Sequence, residues 1–287
     1  MTYPGTLLKA WQLSPKKQMG QNFLADDGLA EKIIRKSHIS DMDTVVEIGP
    51  GLGAITLPLL KQARKVIAIE KDTQLIPILR SEILAAGISM DKMDLRHQNI
   101  LDVDFSQLAN EDCGPLVVVG NLPYNISSQI LIKLMQARAH VKKAIFMFQK
   151  ELAERIMAGP GGKTYGRISV AMQYCSDIHR VIEVKANKFF PRPKVDSEVI
   201  EIAFRDTLLH RATDESFFLQ VVKAAFGRRR KMLKNSLMGS ELHLDGDTIT
   251  KALNTSGIDP VRRAETLTIE EFVRLSNTLE EKISPLP

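Results

Sequence analysis

The sequence predicts an α/β fold: a mostly parallel, doubly wound sheet with an antiparallel edge, followed by a small all-α domain. Short β-rich segments alternate with helical segments through the first half of the chain, which is typical of parallel strands connected by helices. Two later strand segments follow each other across a proline-rich link without a helix between them, as at an antiparallel edge. Beyond residue 208 only helical periodicity remains.

The predicted strands are short and rich in β-branched residues. The segment Leu116–Val119 is apolar without interruption, which is typical of a strand buried on both faces of a sheet. The other predicted strands are Thr44–Gly49, Lys65–Glu70, Leu95–Ile100, Ala144–Phe148, Val181–Val184 and Glu198–Phe204. Apolar residues at helical spacing predict helices at Asp27–Ile39, Thr73–Ala85, Ser127–Ala137, Glu215–Phe226, Lys231–Met238, Asp247–Asn254 and Ile269–Lys282. We therefore predict an α/β domain at residues 1–207, beginning with a polar arm at 1–26, and a helical domain at 208–287.

The composition indicates a globular protein with a substantial core. Of 287 residues, 44% are hydrophobic and 25% are charged, which is ordinary for soluble domains. No apolar run approaches the roughly 20 residues that span a bilayer, and the N-terminus lacks the apolar core of a signal peptide. Two cysteines exclude a disulfide framework, and six scattered histidines lack metal-ligand spacing. We expect a cytoplasmic protein with no metal and no membrane partner.

The net charge of +5 is unevenly distributed. The densest basic cluster comprises Arg228, Arg229, Arg230, Lys231 and Lys234, and Arg192 with Lys194 forms a smaller one. Such side chains can neutralise the phosphates of a nucleic acid. A run of charges is also the usual composition of a solvated helix face, so the clusters alone leave both interpretations open.

A glycine turn follows the first predicted strand. Gly49, Gly51 and Gly53 lie between that strand and a helical segment, and Glu70 follows Gly51 by 19 residues, where an acid can accept hydrogen bonds from a ribose. A dinucleotide fingerprint is formally matched by Gly49, Gly51 and Ala54. The looser turn of proteins that bind S-adenosylmethionine also fits. Glu47 favours the second class, because a carboxylate repels a pyrophosphate and attracts an ammonium group.

The strand that contains Leu116–Val119 ends in Asn121-Leu122-Pro123-Tyr124. Ligands of open α/β sheets bind outside the carboxyl ends of the strands. Asn121 offers an acceptor there, and Pro123 biases Leu122 toward an extended conformation that directs its carbonyl outward. Two acceptors beside the flat ring of Tyr124 suit a planar amine, such as the amino group of a base. Asn and Pro are also typical of an ordinary turn, so these residues alone do not decide.

Four segments, in this order, resemble the ribosomal RNA adenine dimethyltransferases. They are Gln21–Leu24, Glu47–Gly53, Asn121–Tyr124 and Phe189–Ser197. The similarity is greatest to the bacterial branch of the family that acts on small-subunit (16S) rRNA, and it covers most of the first 205 residues. The resemblance implies a Rossmann-like S-adenosylmethionine-dependent methyltransferase sheet in the catalytic domain, residues 1–207. It also implies RNA binding by the α-helical domain, residues 208–287.

The resemblance also implies roles for individual residues. Contacts with the cofactor, S-adenosyl-L-methionine, would come from Asn22, Leu24, Glu47, Gly49, Gly51, Gly53, Glu70, Asn99 and Asn121. The target base would be held by Asn121, Leu122, Pro123, Tyr124 and Phe189, the last two covering its faces, with Phe190 as the runner-up for Phe189. RNA phosphates would contact Arg192, Lys194, Arg228, Arg229, Arg230, Lys231 and Lys234. Asn99 stands where the family usually has an acid, and its carbonyl can still accept a hydrogen bond from the cofactor's adenine.

The implied activity is dimethylation of the N6 amino groups of two adjacent adenosines near the 3′ end of 16S rRNA. The partner would be the immature small ribosomal subunit, and the enzyme would be a monomer. Three alternatives stay open: a 23S rRNA adenine-N6 methyltransferase of the macrolide-resistance type, a dinucleotide-dependent oxidoreductase, and a non-catalytic RNA-binding assembly factor. The segment Phe189–Ser197 and the helical tail favour the small-subunit enzyme.

Overall fold

The computed structural model describes residues 1–112, 114–123, 126–228 and 230–283. The chain divides into two compact units. The first comprises Met1–Ala153 and Asp177–Phe204, and the second comprises Glu154–Ser176 and Arg205–Pro287. The sequence places the boundary at residue 208 and assigns residues 154–176 to the α/β domain. In the structure that segment joins the second unit, because its helix packs against helices of the C-terminal part.

The first unit is built on a seven-stranded sheet. Its strands are β2 (Thr44–Ile48), β3 (Lys65–Glu70), β4 (Met93–His97), β5 (Leu116–Asn121), β6 (Val141–Gln149), β7 (Ser176–Val184) and β9 (Ser197–Phe204). The strand order is β4-β3-β2-β5-β6-β9-β7. Strands β2 to β6 run parallel, whereas β9 is antiparallel to β6. The predicted mostly parallel sheet with an antiparallel edge is confirmed. Two short strands, β1 (Phe23–Leu24) and β8 (Phe189–Phe190), form a separate antiparallel pair.

The centre of the sheet consists of β2 and β5, which deliver the functional segments. Val117 and Val118 of β5 are fully buried, as the uninterrupted apolar run predicts. Gly120, near the end of β5, has no room for a side chain, because a Cβ there would lie 2.8 Å from the carbonyl oxygen of Ile48 in β2. The two strand ends therefore approach closely just before Asn121.

Seven described helices begin in the first unit, and five lie in the second. The first set is α1 (Pro4–Ala10), α2 (Asp27–Lys36), α3 (Thr56–Gln62), α4 (Leu75–Ala85), α5 (Phe105–Glu111), α6 (Ser127–Gln136) and α7 (Lys150–Met157), of which α7 crosses the boundary. The second set is α8 (Arg167–Cys175), α9 (Glu215–Ala225), α10 (Leu233–Met238), α11 (Gly246–Thr255) and α12 (Ile269–Ile283). Short 3₁₀ turns lie at Lys17–Met19, Ile100–Asp102, Arg138–His140, Ala186–Lys188 and Ala264–Thr266.

Several predicted boundaries are wrong for local reasons. Strand β4 ends at His97 rather than at Ile100, because the side chain of Asn99 accepts a hydrogen bond from the Leu101 amide and caps a 3₁₀ turn. Helix α2 ends before His38, whose φ of 47° is incompatible with a right-handed helix. Helix α10 begins at Leu233 rather than at Lys231, since Met232 has extended backbone angles.

The arm contains a helix that hydrophobic periodicity does not predict. Helix α1 is only seven residues long, and its apolar contribution is the pair Leu7 and Leu8. Both leucines are buried in a small cluster with Phe23, Leu52 and other residues of the first unit. Tertiary packing therefore fixes this short helix, which local propensity alone would leave marginal.

The second unit is an all-α assembly with an aromatic core. Helix α12 packs against α9 and α11, and α8 packs against α9. The Phe226 ring lies 6.0 Å from that of Tyr165 and 5.7 Å from that of Phe272. Among the described residues, no helix has the length and apolar character needed to cross a bilayer. Over the same residues, no group of three or more His, Cys, Asp or Glu side chains is arranged to hold a metal ion.

Candidate active site

An open cavity lies at the carboxyl ends of β2, β3, β4 and β5. This is where a parallel sheet presents loops rather than strands to a ligand. The lining comes from the arm, the glycine turn and the four strand ends, and it includes Gln18, Asn22, Leu24, Glu47, Gly49, Gly51, Glu70, Asn99, Asn121 and Pro123. Most of the predicted cofactor residues therefore meet around one cavity.

The glycine turn after β2 forms one wall of the cavity. Gly49 and Gly51 have φ angles of 66° and 59°, in the left-handed region that glycine adopts without strain. A Cβ on Gly49 would meet no atom within 4 Å, so the backbone there is open to a ligand. Gly53 does not line the cavity, because it faces helix α4, where a Cβ would lie 2.8 Å from Leu79 Cδ1. Because Gly53 has no side chain, the glycine turn can pack against α4.

Glu70 connects β3 to the glycine turn. Its Oε2 accepts a hydrogen bond from the Gly51 amide at 3.1 Å, and its Oε1 accepts one from the Asp72 amide at 2.7 Å. Burial raises the pKa of this carboxyl above its ordinary value, although the backbone amides oppose the shift. The carboxylate lies on the cavity wall with both oxygens fixed in direction.

Glu47 is the most buried acid of the cavity wall. It is 2% exposed, and its Oε2 has no hydrogen-bond partner among the described residues. Burial raises its pKa to about 8, and repulsion from Glu70 adds to the shift. A buried carboxyl with one unpartnered oxygen on a cavity wall fits a ligand that carries an ammonium group.

Asn121 ends β5 and is held by the arm. Its Nδ2 donates to the carbonyl oxygen of Asn22 at 2.8 Å, so the amide is oriented and its Oδ1 keeps its acceptor capacity. Pro123 lines the same cavity, and its carbonyl accepts from Ser127 Oγ at 2.8 Å. Leu122 is buried, with its amide donating to the Met147 carbonyl at 3.3 Å. Tyr124 lies outside the described residues.

The Leu122–Met147 bond extends the pairing of β5 with β6 by one residue beyond Asn121. The backbone of the corner is thereby anchored to the sheet on one side, while the Asn121 side chain is anchored to the arm on the other. A strand end held in this way presents its polar groups in a fixed geometry, which is what a preorganised binding site requires.

Phe189, predicted to cover one face of the base, and its runner-up Phe190 form strand β8 of the short β1–β8 pair. Leu24 is paired with Phe189, and Phe23 with Phe190. Leu24 lines the cavity, but Phe189 does not: its side chain is buried in the hydrophobic core. Phe190 is half-buried, and its ring contacts that of Tyr3 edge-on at 5.8 Å.

Asn99 lies on the cavity wall beyond the end of β4, together with Gln98 and Ile100. Its Oδ1 accepts from the Leu101 amide at 3.3 Å, which fixes the direction of the side chain. Sequence reasoning misses Gln98 and the arm residues Gln18, Met19 and Gly20, all of which line the cavity. The three arm residues carry no charge and follow no predicted strand, so only the folded arm brings them to the site, whereas Gln98 directly follows β4.

The predicted RNA-binding residues are divided between the two units. Arg192 and Lys194 are exposed in the first unit, between β8 and β9. The described members of the larger cluster, Arg228, Arg230, Lys231 and Lys234, lie in the second unit, and the first three are exposed. Within the described part of the chain, none of these four side chains forms a salt bridge with a carboxylate. Arg229 lies outside the described residues.

Comparisons with known proteins agree with this architecture. The family model described as "Ribosomal RNA adenine dimethylase" matches residues 12–281. A relative from Desulforapulum autotrophicum, named "Ribosomal RNA small subunit methyltransferase A", is 50% identical over 279 residues, which cover 97% of each chain. The crystal structure of a dimethyladenosine transferase from Plasmodium falciparum is 25% identical with a TM-score of 0.75, covering 91% of this chain and 98% of that one. The crystal structure of the 23S rRNA methyltransferase ErmE shares the fold, with a TM-score of 0.66. It is 23% identical, and the match covers 90% of this chain and 99% of that one.

The sheet, the glycine turn and the acids at the strand ends fit a methyltransferase that uses S-adenosyl-L-methionine. Of the two ligand classes that fit the glycine turn, the match to the adenine dimethylase family supports S-adenosyl-L-methionine rather than a dinucleotide. The chain belongs to the ribosomal RNA adenine dimethylase family. It is an rRNA adenine methyltransferase.

Proposed function

We propose that the enzyme dimethylates the N6 amino groups of two adjacent adenosines near the 3′ end of 16S rRNA, within the immature small ribosomal subunit. The name of the D. autotrophicum relative, which is similar over nearly its whole length, supports the small subunit as substrate. The observation that carries the chemistry is the Asn121 amide, fixed at the end of β5 on the wall of the cavity. We further propose that the enzyme acts as a monomer in the cytoplasm, where ribosomal subunits assemble.

The cavity residues fit the cofactor from one end to the other. Glu47, whose buried Oε2 has no hydrogen-bond partner in the described residues, suits the ammonium group of the methionine part, and the open backbone at Gly49 leaves room beside it. Glu70 would accept hydrogen bonds from the ribose hydroxyls, and Asn99 from the adenine amino group. Asn22 and Leu24 would cover the cofactor from the arm. When bound, S-adenosyl-L-methionine supplies a methyl group activated by its sulfonium charge.

Asn121 and Leu122 would act on the target amine. The N6 nitrogen of adenine is a poor nucleophile because its lone pair is delocalised into the ring. The Oδ1 of Asn121 and the carbonyl of Leu122 would accept its two hydrogens, favour a pyramidal nitrogen and stabilise the positive charge that develops on attack. The Asn22 carbonyl fixes the Asn121 amide in advance, so little reorganisation remains. The proton can leave after attack, so no general base is required.

Stacking on the base is assigned to Tyr124 and Phe189. A stacked base gains about 1–3 kcal/mol of binding free energy. Phe189 is 4% exposed and is buried in the core beside Leu24, so its proposed role requires the β1–β8 pair to shift when RNA binds. Phe190 is already half-buried next to Tyr3 and stays the second candidate.

The basic residues would position the RNA. The side chains of Arg228, Arg230, Lys231 and Lys234 have no carboxylate partner in the described part of the chain, so their charge is available to phosphates. Arg192 and Lys194 are exposed and would contact phosphates that flank the target, and Arg229 completes the proposed set.

Mass mapping of methylated adenosines tests the proposed function. Immature 30S particles and naked 23S RNA are incubated separately with the enzyme and labelled cofactor. We expect dimethylation of two adjacent adenosines in the 16S rRNA and none in the 23S RNA. Labelling of the 23S RNA alone would favour the macrolide-resistance activity, and binding without any labelling would favour an assembly factor.

A further inference from the structure

The Asp72 carboxylate is buried next to the cofactor cavity but does not line it. It follows Glu70 by two residues, beyond the end of β3, and its side chain is 3% exposed. The backbone amide of Asp72 donates to Glu70 Oε1 at 2.7 Å. Asp72 is therefore joined directly to a predicted cofactor residue, although it carries out no step in the proposed chemistry.

Three groups donate to the Asp72 carboxylate. Its Oδ1 accepts from Lys16 Nζ at 2.7 Å and from the Gln74 amide at 3.2 Å, and its Oδ2 accepts from Gln21 Nε2 at 2.8 Å. Lys16 and Gln21 are the first and last residues of a short segment of the arm, residues 16–21, which we call the arm loop. The loop is closed on itself, because Gln21 Oε1 accepts from the Lys16 amide at 2.7 Å.

The arm loop forms part of the cavity wall. Gln18, Met19, Gly20 and Gln21 all line the cavity. The next residue, Asn22, accepts the hydrogen bond from Asn121 Nδ2 at 2.8 Å. The arm is thus fastened on two sides of the cavity: to Asp72 beside the ribose site, and to Asn121 beside the target site.

The negative charge of Asp72 stabilises its contacts with the arm loop. Burial opposes ionisation of the Asp72 carboxyl, but the hydrogen bonds from Lys16 and Gln21 outweigh it, and its pKa is lowered. A buried carboxylate that loses its donors is costly. Release of the arm loop would leave this charge with only the Gln74 amide as donor, beside Glu70, a second acid. The closed position of the loop is therefore stabilised in the absence of ligands.

We propose that Asp72 is a positioning residue for methyl transfer: through Lys16 and Gln21 it holds the arm loop across the cofactor and keeps Asn22 against Asn121. The inference rests on the proposed function in that it assigns the cavity to S-adenosyl-L-methionine. Asp72 acts through the arm and touches neither the cofactor nor the base.

The test compares the affinity for S-adenosyl-L-methionine, measured by calorimetry without RNA, in wild type and Asp72→Asn. The amide has the size of the carboxylate but places an NH₂ group against the NH₂ group of Gln21. We expect the dissociation constant to rise by about tenfold to a hundredfold, the cost of losing charge-assisted bonds. Trypsin should also cleave faster after Lys16 and Lys17.

A compensating change separates positioning from folding. In the double variant Asp72→Asn with Gln21→Glu, the new amide can donate to the new carboxylate, which can also pair with Lys16. We expect this variant to recover affinity, whereas Gln21→Glu alone, which places two carboxylates together, should weaken binding. The matched control is Asp43→Asn, because Asp43 is also a buried aspartate, its Oδ1 lies 3.5 Å from Lys142 Nζ, and it directly precedes β2. It should lower stability without affecting cofactor affinity.

Unchanged cofactor affinity and unchanged trypsin cleavage in Asp72→Asn would overturn the inference. So would losses that follow melting temperature alone, as in Asp43→Asn, without recovery in the double variant. Neither result bears on the proposed function, which fails only if the wild-type enzyme does not methylate immature 30S particles.

Discussion

The proposed chemistry depends on the orientation of a single amide, that of Asn121. Its Nδ2 donates a hydrogen bond to the Asn22 carbonyl oxygen at 2.8 Å, which leaves Oδ1 as the proposed acceptor for the target amine. Asn121→Ala removes this acceptor, and we expect kcat to fall by about 100- to 1000-fold, as when one donor or acceptor of a preorganised site is lost. Methylation of 30S particles under saturating conditions measures kcat, and a filter-binding assay measures RNA affinity, which should be nearly unchanged.

The control for Asn121 is Asn187→Ala, an exposed position in the 3₁₀ turn Ala186–Lys188. It should methylate like the wild type. If Asn121→Ala also retained wild-type kcat, the proposed role of the amide would be wrong.

The raised pKa of Glu47 predicts a pH dependence. The pKa is about 8 in the folded protein and 4.5 ordinarily, so between these pH values the folded protein holds a proton that the unfolded chain releases. The stability of the ligand-free protein should therefore fall as pH rises through this window. Glu47→Gln, which cannot ionise, should show a shallower fall in denaturant titrations at pH 5 to 8.

Cofactor binding should show the opposite trend at the same residue. The ionised form of Glu47 attracts an ammonium group, so affinity for S-adenosyl-L-methionine should rise as pH approaches about 8, the pKa of Glu47. Calorimetry in buffers of different ionisation enthalpy should detect proton release on binding to the wild type. Less release is expected with Glu47→Gln, and equal release in the two proteins would show that Glu47 does not titrate on binding.

At the scale of secondary-structure elements, the close approach of β2 and β5 sets the position of the site. A Cβ at Gly120 would lie 2.8 Å from the Ile48 carbonyl oxygen, a backbone atom that cannot rotate away. Gly120→Ala should shift the end of β5, cost about 1–3 kcal/mol of folding free energy as overpacking does, and reduce kcat through the neighbouring Asn121. Denaturant unfolding and methylation assays measure the two effects.

Gly114→Ala is the matched control for Gly120. Gly114 precedes β5, and a Cβ there would meet no atom within 4 Å. Both stability and kcat should stay close to wild type. If Gly120→Ala also kept wild-type stability and kcat, the ends of β2 and β5 would have space for a Cβ, and the proposed close approach would be wrong.

The elements that the sequence predicts best are those with a long or uniform signal. The buried run of β5 and the strand–turn segment around Gly49 are such cases, because periodicity and glycine geometry act locally. Helix α1 and the two-residue strands β1 and β8 carry no comparable pattern. Their position depends on contacts with residues far along the chain, as when Leu24 pairs with Phe189.

The same distinction between local patterns and long-range contacts holds for the candidate site. Glu47, Gly49, Gly51, Glu70 and Asn121 lie in or directly after strands, so motif spacing finds them. The arm loop and the Asp72 carboxylate are joined by side-chain bonds whose partners lie 51 and 56 positions apart in the chain, which no local pattern encodes. The end of β4 likewise depends on a side-chain cap at Asn99 rather than on strand propensity.

At the scale of the whole molecule, the cavity and the larger basic cluster lie in different units. The cavity is formed by the first unit, and the basic cluster around Arg228 and Arg230 belongs to the second. Substitutions in the second unit should therefore change RNA affinity without changing cofactor affinity, whereas substitutions at Asn121 should lower kcat without changing RNA affinity. This separation also distinguishes an enzyme from a binding factor built on the same fold.

Gly239 offers a selective test of that separation. It follows helix α10, and a Cβ at this position would lie 2.6 Å from the Arg228 guanidinium, which packs directly over the glycine. Gly239→Ala should displace this flexible group at little cost in stability, since φ at Gly239 is −90° and suits any residue. If Arg228 contacts a phosphate, RNA affinity should fall by about tenfold. The slope of log affinity against log salt should also become shallower by about 0.7–0.9, the effect of one lost phosphate contact.

The control is Gly159→Ala in the same unit, where a Cβ would meet no atom within 4 Å. Its RNA affinity and salt slope should match the wild type. In Gly239→Ala, kcat at saturating RNA and the dissociation constant for S-adenosyl-L-methionine should be unchanged, because the cavity belongs to the other unit. An unaltered salt slope in Gly239→Ala would show that Arg228 does not neutralise a phosphate, and the RNA contact would then have to be sought among Arg230, Lys231 and Lys234.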